Sequence, residues 1–421
     1  MSDSATAGPL RRHVAAVVVG NALEFYDFLT YTFFAVYMGQ AFFPSHNPTS
    51  SLLASLAAFG AGFVTRPIGG IVLGALGDRV GRRPAMFLSF SLMGTAIVGV
   101  ALTPSYARIG IAAPILVIAF RLLQGFALGG EVGPSTAFLI EAAPPGRRGF
   151  YGSLQGASQY ASTFAAGLAG SGLAFVLAPE ALASWGWRVA FLFGALTVPF
   201  GLFIRASLPE TLHAPAAARR TGGLIGDNLR VVICGLLMLA SATIATYVIL
   251  FLSTYAQATL HMAPLWAFGS TLTVGAVGTV FAALGGALSD RIGRRRPTMI
   301  ATTVLLILIT VPAFALLDHY RSGPVLLAVA AALTMVFTSG SSVIIMSIAE
   351  SLPPAIRSAG ASTIYAFAIA IFGGTTQFNV AWLTARTGDP IAPAYYMTAA
   401  LLVGLAAMTL FRESAPARRG P

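Results

Sequence analysis

Long apolar runs alternate along the chain with short polar connectors. Most runs have about 20 residues or more, the length that an α-helix needs to cross a bilayer. The pattern predicts twelve such helices, near residues 14–43, 52–77, 85–103, 111–141, 150–178, 188–207, 229–257, 265–289, 298–317, 323–350, 358–385 and 392–412. A polar stretch at 208–228 separates the first six helices from the second six.

Two connectors occur twice, which indicates that the halves are related. Segment 74–84 returns at 286–297, and segment 141–148 is matched by 350–357. Two repeats in the same order, at nearly one offset, indicate duplication of a unit. We therefore predict an all-α integral membrane protein with twelve transmembrane helices in two pseudo-symmetric six-helix bundles. The predicted parts are an N-terminal bundle (1–207), a cytoplasmic linker (208–228) and a C-terminal bundle (229–421).

Composition and charge agree with a membrane protein. Hydrophobic residues make up 56% of the chain and charged residues 9%, whereas soluble domains carry about 25% charge. All 25 basic residues are arginine. Nineteen lie in connectors on one predicted side, two lie inside helices, and four lie on the other side: Arg108, Arg188, Arg321 and Arg386. Because positive residues favour the cytoplasmic side, we expect a multi-pass inner-membrane protein with both termini in the cytoplasm.

Several function classes have no support in the sequence. The net charge of +11 comes from short connectors, whereas a nucleic-acid interface needs a basic face or a groove-reading element. The five histidines are not spaced as metal ligands, and no phosphate-binding motif is present. We therefore expect no enzyme activity, metal, cofactor or nucleic-acid partner. The single cysteine, Cys234, excludes an internal disulfide.

The repeated connector resembles a family signature. Gly-x-x-x-Asp-Arg-x-Gly-Arg-Arg follows the second helix, and a close copy follows the eighth. With two six-helix halves, it resembles the major facilitator superfamily. Further motifs resemble the metabolite:proton symporter branch: Gly20-Asn21-x-x-Glu24-x-x-Asp27-Phe28, Gly62-Phe-x-x-Arg66-Pro67-Ile68-Gly69-Gly70, Arg121-Leu-Leu-Gln124-Gly125, Arg148-Gly149-Phe150-Tyr151 and Trp185-Gly186-Trp187-Arg188.

The resemblance implies a transport function. The branch includes permeases for citrate and tricarballylate, 2-oxoglutarate, shikimate, and proline or betaine. Segments 370–374 and 387–396 resemble the citrate-type permeases most. The implied function is proton-coupled uptake of a small organic carboxylate by alternating access, with the acid, protons and the lipid bilayer as partners. We expect a monomer. Because one scaffold serves anionic and zwitterionic substrates, a proline or betaine symporter remains the alternative.

Ionisable residues inside helices are the candidates for the transport chemistry. A charge at membrane depth is costly, so it indicates function. The five candidates all lie in the first half: Glu24, Asp27, Arg66, Arg121 and Glu131. From a helical rise of about 1.5 Å per residue, Asp27, Arg66 and Glu131 fall near the midplane. Arg121 falls roughly 30 Å from Glu141, nearer the outer mouth unless its helix extends into the cytosol.

The residue types indicate how coupling could work. Arg66 or Arg121 would bind the substrate carboxylate, because a guanidinium presents paired donors. Asp27 or Glu131, with Glu24 as a third candidate, would pair with arginine in the empty site and take a proton when substrate displaces it. Alternatively, the arginines form structural ion pairs with Glu24 and Glu131. Further candidates for substrate contact are Tyr26, Gln124, Gln155, Gln159, Tyr365 and Gln377.

The repeated connectors predict a two-sided cytoplasmic latch. Asp78 should meet the start of the eleventh helix near Ser358, and by symmetry Asp290 should meet the start of the fifth near Gly149. A carboxylate there is favoured by the free N–H groups and the helix dipole. The latch would favour the outward-open state, and its other members are Arg82, Arg83, Glu141, Arg148, Arg294, Arg295, Glu350 and Arg357.

Three other functions are less well supported. A proton-coupled drug exporter shares the fold, but exporters of that group typically carry Gly-Pro on the fifth helix, and residues 149–178 contain no proline. A membrane sensor would need a signalling domain, and the predicted tails have about ten residues. Uniport without protons remains open if the carboxylates are structural.

Overall fold

The computed structural model describes residues 3–80, 82–129, 138–140, 142–144, 146–206, 228–353 and 357–412. These residues form helices and connecting turns, with no β-strand among them. Twelve long helices are numbered here: α1 (Asp3–Phe33 and Ala35–Phe42), α2 (Pro48–Val64 and Arg66–Val80), α3 (Arg82–Leu102), α4 (Ala112–Leu128), α5 (Arg148–Val176), α6 (Trp187–Ala206), α7 (Leu229–Leu250 and Leu252–Ala258), α8 (Pro264–Ile292), α9 (Arg296–Tyr320), α10 (Gly323–Ser341 and Ile344–Ser351), α11 (Arg357–Ala368 and Gly374–Thr387) and α12 (Ala392–Leu410).

Local sequence accounts for where helices begin and end. Asn47 caps α2, because its side-chain oxygen accepts from the Thr49 amide at 2.9 Å and Pro48 supplies the first helical residue. Gly293 ends α8 in the left-handed conformation, with φ of 67°. The helix α1 begins at Asp3, earlier than the predicted start of the first membrane helix near residue 14.

Five of the helices are interrupted where the apolar pattern predicts continuity. Single residues break α1 at Phe34, α2 at Thr65 and α7 at Phe251, and the pair Ser342 and Val343 breaks α10. In α11 the two α-helical parts are joined by a π-helical segment, Ile369–Gly373. These breaks contain no strongly polar residue, so hydropathy alone does not detect them.

Helices long and apolar enough to cross a membrane are found in both halves. Seven helical stretches among the described residues are long and apolar enough to cross a membrane. One belongs to the first half, in α2, and the other six are α7 to α12. Two further stretches of the first half, Phe87–Leu102 and Ala112–Leu128, are apolar but shorter among the described residues. We call the end that carries Arg79 and Arg291 the arginine-rich end, and the end that carries Arg108 and Arg321 the arginine-poor end.

Glycines set the closest helix approaches. A Cβ added at Gly125 of α4 would lie 1.5 Å from the Gly62 carbonyl oxygen of α2. A Cβ at Gly149 of α5 would lie 2.4 Å from the Gly286 oxygen of α8. Only a residue without a side chain permits these backbone contacts, which are typical of membrane helices. The first contact packs α2 on α4, and the second joins the two halves.

Candidate functional site

A cavity of about 130 Å³ lies between the two halves. Its walls come from α1, α5, α7, α10 and α11. The described lining residues carry no formal charge, and its polar members are Ser153, Gln155, Gln159, Tyr160, Thr163, Thr243, Thr246, Tyr247, Ser341, Ser342 and Tyr365. The wall therefore offers hydroxyl and amide groups that can donate or accept hydrogen bonds.

Helical spacing explains why these residues share one wall. In α7 the lining residues Thr243, Thr246, Tyr247 and Leu250 are spaced by three, four and seven positions, which places them on one face. Gln155, Gln159 and Thr163 repeat every four residues along α5. The lining extends toward the arginine-rich end as far as Gly152 and Ile345.

Arg66 and Arg121 lie side by side next to this cavity, but neither is among its lining residues. The Arg66 side chain is 6% exposed and that of Arg121 is 1% exposed. The guanidinium carbons lie 4.3 Å and 4.6 Å from the centre of the Phe28 ring. Phe63 also contacts Arg66, and Arg121 also contacts Tyr31 and Phe59. We call these two residues the arginine pair; aromatic faces stabilise both cations.

The sequence placed Arg121 nearer the outer mouth unless its helix extends into the cytosol. The close contact between Gly62 and Gly125 crosses α2 and α4, and this crossing brings Arg121 to the level of Arg66.

The two arginines differ in their hydrogen bonds. Arg121 donates from Nη1 to Gln124 and from Nη2 to the Phe59 carbonyl oxygen at 3.4 Å. Among the described residues, Nε and Nη2 of Arg66 have no acceptor. Glu24 is buried within electrostatic range of Arg66. The structure thus places one predicted carboxylate near the arginine pair.

The other predicted site residues are divided between the cavity and its surroundings. Gln155, Gln159 and Tyr365 line the cavity. Tyr26 donates to the Ala190 carbonyl oxygen at 3.1 Å and lies outside the lining. Gln377 accepts from Thr32 on the opposite half and is also outside it. The Asp27 side chain and the whole of Glu131 lie outside the described residues.

At the arginine-rich end, Asp290 lies where the duplication predicts it. Its two carboxylate oxygens accept from the backbone amides of Gly149 and Phe150 at 2.8 Å and 2.9 Å. Arg295 donates to Asp290 at 2.9 Å and to both oxygens of Glu350 at 3.3 Å. We call Asp290, Arg295 and Glu350 the clasp. It ties α5 of one half to α8 and α10 of the other.

Charge within the clasp is well compensated. Arg295 is 4% exposed, and burial by itself would lower its pKa. The hydrogen bonds and charges of Glu350 and Asp290 outweigh that effect and raise the pKa of Arg295. Because a raised pKa keeps the guanidinium protonated at every lower pH, the clasp retains its positive centre throughout the physiological range.

Of the remaining members of the predicted latch, the structure describes the side chains of two. Arg148 and Arg294 have exposed side chains. Five others fall outside the described side chains: Asp78, Arg82, Arg83, Glu141 and Arg357. The proposed counterpart of the clasp at α2 and α11 therefore stays a prediction.

The halves also meet toward the arginine-poor end. Thr254 of α7 donates to the Thr32 carbonyl oxygen of α1 at 3.2 Å. The rings of Phe34 and Phe268 lie 4.7 Å apart. Together with the hydrogen bond between Thr32 and Gln377, these contacts close the described part of the interface on that side of the cavity.

Sequence reasoning missed the aromatic residues around the arginine pair and two threonines of the cavity. Phe28 was part of a quoted motif but had no predicted role. Thr243 and Thr246 lie in an apolar run, and their spacing from Tyr247 was the available signal. Small hydroxyl residues in a hydrophobic helix are common, so composition alone does not distinguish them.

Comparison with known proteins identifies the fold family. The Major Facilitator Superfamily matches residues 17–375 of this chain. The chain belongs to that superfamily. A crystal structure of a D-xylose-proton symporter has the same superfamily fold, with a TM-score of 0.77 and 18% identity over 97% of this chain and 99% of the other. The prediction of twelve membrane helices in two six-helix bundles is confirmed, and the protein is a multi-pass membrane transporter and not an enzyme.

Relatives within the superfamily differ in their substrates. A citrate-proton symporter of Klebsiella pneumoniae is 40% identical over 98% of this chain and 95% of its own. A putative proline/betaine transporter of Staphylococcus aureus (strain COL) is 31% identical over 96% of this chain and 88% of its own. Both nearly full-length relatives thus belong to the substrate classes that the sequence resemblance named.

Proposed function

We propose that this protein is a secondary active transporter that takes up a small organic carboxylate together with protons, with citrate-like acids favoured. The observation that carries the proposal is a buried cation, Arg66, beside a polar cavity between the two halves. Transporters of this kind bind substrate near the midplane where their halves meet. The 40% identity to a citrate-proton symporter supports the same substrate class.

Proton coupling would use a carboxylate near the arginine pair. Glu24 is buried close to Arg66, and Asp27 and Glu131 are the other candidates from sequence. When substrate binds the arginine, the nearby carboxylate loses part of its stabilising charge. Protonation then becomes more favourable, because an isolated buried carboxylate favours its neutral form. Substrate and proton would thereby enter the site together.

The clasp would act as part of the gate. We propose that the arginine-rich end faces the cytoplasm, that both termini lie there, and that the membrane is the inner membrane. Residues 208–228 would link the bundles 1–207 and 229–421, and the transporter would act as a monomer. The cavity extends toward the arginine-rich end while the clasp is intact. Full opening to the cytoplasm would therefore also need release of the clasp.

Uptake into proteoliposomes tests the function. Purified protein would be reconstituted and offered labelled citrate, 2-oxoglutarate, shikimate, proline and betaine, with and without a pH gradient, and empty liposomes serve as the control. We expect accumulation of a carboxylate that depends on the gradient. Uptake of betaine or proline alone would replace the carboxylate assignment with the zwitterion alternative.

Variants at the coupling candidates test the mechanism separately. Glu24→Gln, Asp27→Asn and Glu131→Gln would be compared for uphill uptake and for exchange of substrate across the membrane at equal pH. Loss of uphill uptake with retained exchange identifies the coupling carboxylate. If all three variants accumulate substrate as the wild type does, none of these carboxylates couples transport to protons.

A further inference from the structure

Arg66 presents an unused pair of donors. Its Nε and Nη2 groups are buried, and neither has an acceptor among the described residues. These two nitrogens lie on one edge of the guanidinium plane, and their N–H groups match the two oxygens of a carboxylate. Because an unsatisfied buried charged donor is costly, this edge indicates a ligand.

Arg121 is also buried, but it makes more hydrogen bonds with the protein. Its Nη2 donates to the Phe59 carbonyl oxygen and its Nη1 to Gln124, which leaves Nε as its one unpaired nitrogen. Its guanidinium carbon lies within 5 Å of three ring centres, those of Phe28, Tyr31 and Phe59. Two of the three guanidinium nitrogens of Arg121 thus already have protein acceptors, whereas the Nε and Nη2 edge of Arg66 has none among the described residues.

Arg66 also lies nearer the cavity wall. Tyr247 and Tyr365 line the cavity; Tyr247 lies within electrostatic range of both arginines, and Tyr365 within that of Arg66. Phe63 connects the two regions, since its ring centre is 4.7 Å from the Arg66 guanidinium and 5.6 Å from the Tyr247 ring. The layer between Arg66 and the cavity thus contains aromatic side chains, which can rotate, and two of them carry hydroxyl groups.

A second unsatisfied donor belongs to a residue of the cavity wall itself. Gln155 of α5 is 6% exposed and lines the cavity, and its Nε2 has no acceptor among the described residues. Two unpaired donors on different helices provide anchoring points for a molecule with more than one acceptor group. This arrangement suits an acid with several oxygens better than a solute with a single carboxylate.

We propose, on the basis of the carboxylate transport proposed above, that Arg66 is the substrate-binding arginine and that Arg121 is a structural anchor. One carboxylate of the substrate binds the Nε and Nη2 edge of Arg66, between Tyr247 and Tyr365. The remaining oxygens bind neutral donors of the cavity, including Gln155. Arg121 holds Phe28, and the Phe28 ring in turn holds Arg66 in position. Of the two arginines that the sequence left open, this assigns the substrate to one.

The assignment is tested by removing the Arg66 guanidinium and one carboxylate of the substrate, separately and together. Binding to the purified full-length protein would be measured for citrate, for 3-hydroxyglutarate, which lacks the central carboxylate, and for citramalate, which lacks a terminal one. We expect Arg66→Gln to weaken citrate binding about 30-fold or more, as loss of one partner of a buried charged pair does. We also expect at least one truncated acid to bind the wild type and Arg66→Gln with affinities within about 3-fold.

Two further variants serve as matched controls for Arg66→Gln. Arg121→Gln should retain the wild-type preference for citrate over the truncated acids, even if it unfolds at a lower temperature. Arg66→Lys keeps the charge and loses the paired donors, so it should show an intermediate loss of affinity; it also serves if Arg66→Gln does not fold.

Two results would overturn the assignment in distinguishable ways. If Arg66→Gln and Arg66→Lys discriminate between citrate and both truncated acids as strongly as the wild type does, Arg66 does not bind the carboxylate. If the wild type binds no carboxylate, the proposed function fails and the subsite fails with it.

Discussion

The arginine pair and the clasp are two solutions to the same problem, the burial of arginine. In the clasp, Arg295 has two carboxylates and a serine hydroxyl as acceptors. In the arginine pair, the described neighbours of Arg66 and Arg121 are mostly aromatic faces, and donors are left over. The clasp is complete without any ligand, whereas the pair is not.

This difference indicates that the clasp fixes the positions of helices, whereas the arginine pair can bind a ligand. A buried ion pair with its hydrogen bonds satisfied gains little from a further anion, and it fixes the relative positions of the helices that supply it. A cation held by ring faces keeps its in-plane N–H groups available, because the rings contact the flat side of the guanidinium. Aromatic packing therefore allows a charge to be buried and still reach a substrate.

The largest expected effect is on the clasp. Arg295→Ala leaves Asp290 and Glu350 buried near each other without a cation, which we expect to cost about 3 to 5 kcal/mol of stability. Thermal unfolding of the purified protein in detergent measures this cost. Arg294→Ala, at a neighbouring exposed position, is the control and should unfold close to the wild-type temperature. Equal unfolding temperatures for the two variants would mean that the clasp contributes no stability.

A smaller effect is expected at the ring shared by the arginine pair. Phe28→Leu removes a cation–π contact from both guanidiniums, each contributing about 0.5 to 2 kcal/mol. Phe33→Leu is the matched control, because Phe33 is equally buried on the same helix and has no described contact with a guanidinium. We expect Phe28→Leu to unfold at the lower temperature and to bind citrate more weakly. Equal stability of the two variants would show that the ring does not support the cations.

Asp290→Asn should have a moderate effect. The amide keeps one acceptor for the start of α5 but removes the charge that favours the helix N-terminus and Arg295, at a cost of about 1 to 2 kcal/mol. Thermal unfolding measures the loss of stability, and labelling of a cysteine introduced beside Gly149 measures access at this end. Asp318→Asn is the control, since its partner Arg321 is exposed. Unchanged labelling with Asp290→Asn would argue against a gating role for the clasp.

The smallest expected effect is at Tyr365. Tyr365→Phe removes one neutral hydroxyl beside Arg66, so citrate affinity should fall by about 0.5 to 1.5 kcal/mol without loss of stability. Binding isotherms measure the change. Tyr395→Phe, at an exposed position in α12, should bind as the wild type does. A loss of affinity in the control equal to that of Tyr365→Phe would show that the assay does not report on the cavity.

The sequence predicted the clasp better than the arginine pair. The position of Asp290 beside Gly149 follows from the duplicated connector and helix capping, which are local rules. The meeting of Arg66 with Arg121 depends on the Gly62 and Gly125 contact, a feature of helix crossing that hydropathy does not contain. Twelve helices could be counted from apolar length, but the neutral lining of the cavity could not be read from charge alone.

The same limit applies to Phe28. Buried aromatic residues are common in the core of a helical membrane protein. A single sequence does not distinguish a phenylalanine that packs against apolar side chains from one that packs against a guanidinium. Its role depends on Arg66 of α2 and Arg121 of α4, which are 38 and 93 positions away in the sequence. Long-range geometry of this kind was needed to identify it.

The π-helical segment Ile369–Gly373 in α11 has a consequence for the register of that helix. A π-turn contains one more residue than an α-turn, so the two parts of α11 are offset as if one residue had been inserted. That offset sets Tyr365 toward the cavity on one side and brings Gly374 against Gly60 of α2 on the other. Deleting one residue from the segment would restore an ordinary helix but rotate one part by about 100° relative to the other. The chain thus tolerates what looks like a single-residue insertion because two surfaces on one helix have to face different neighbours.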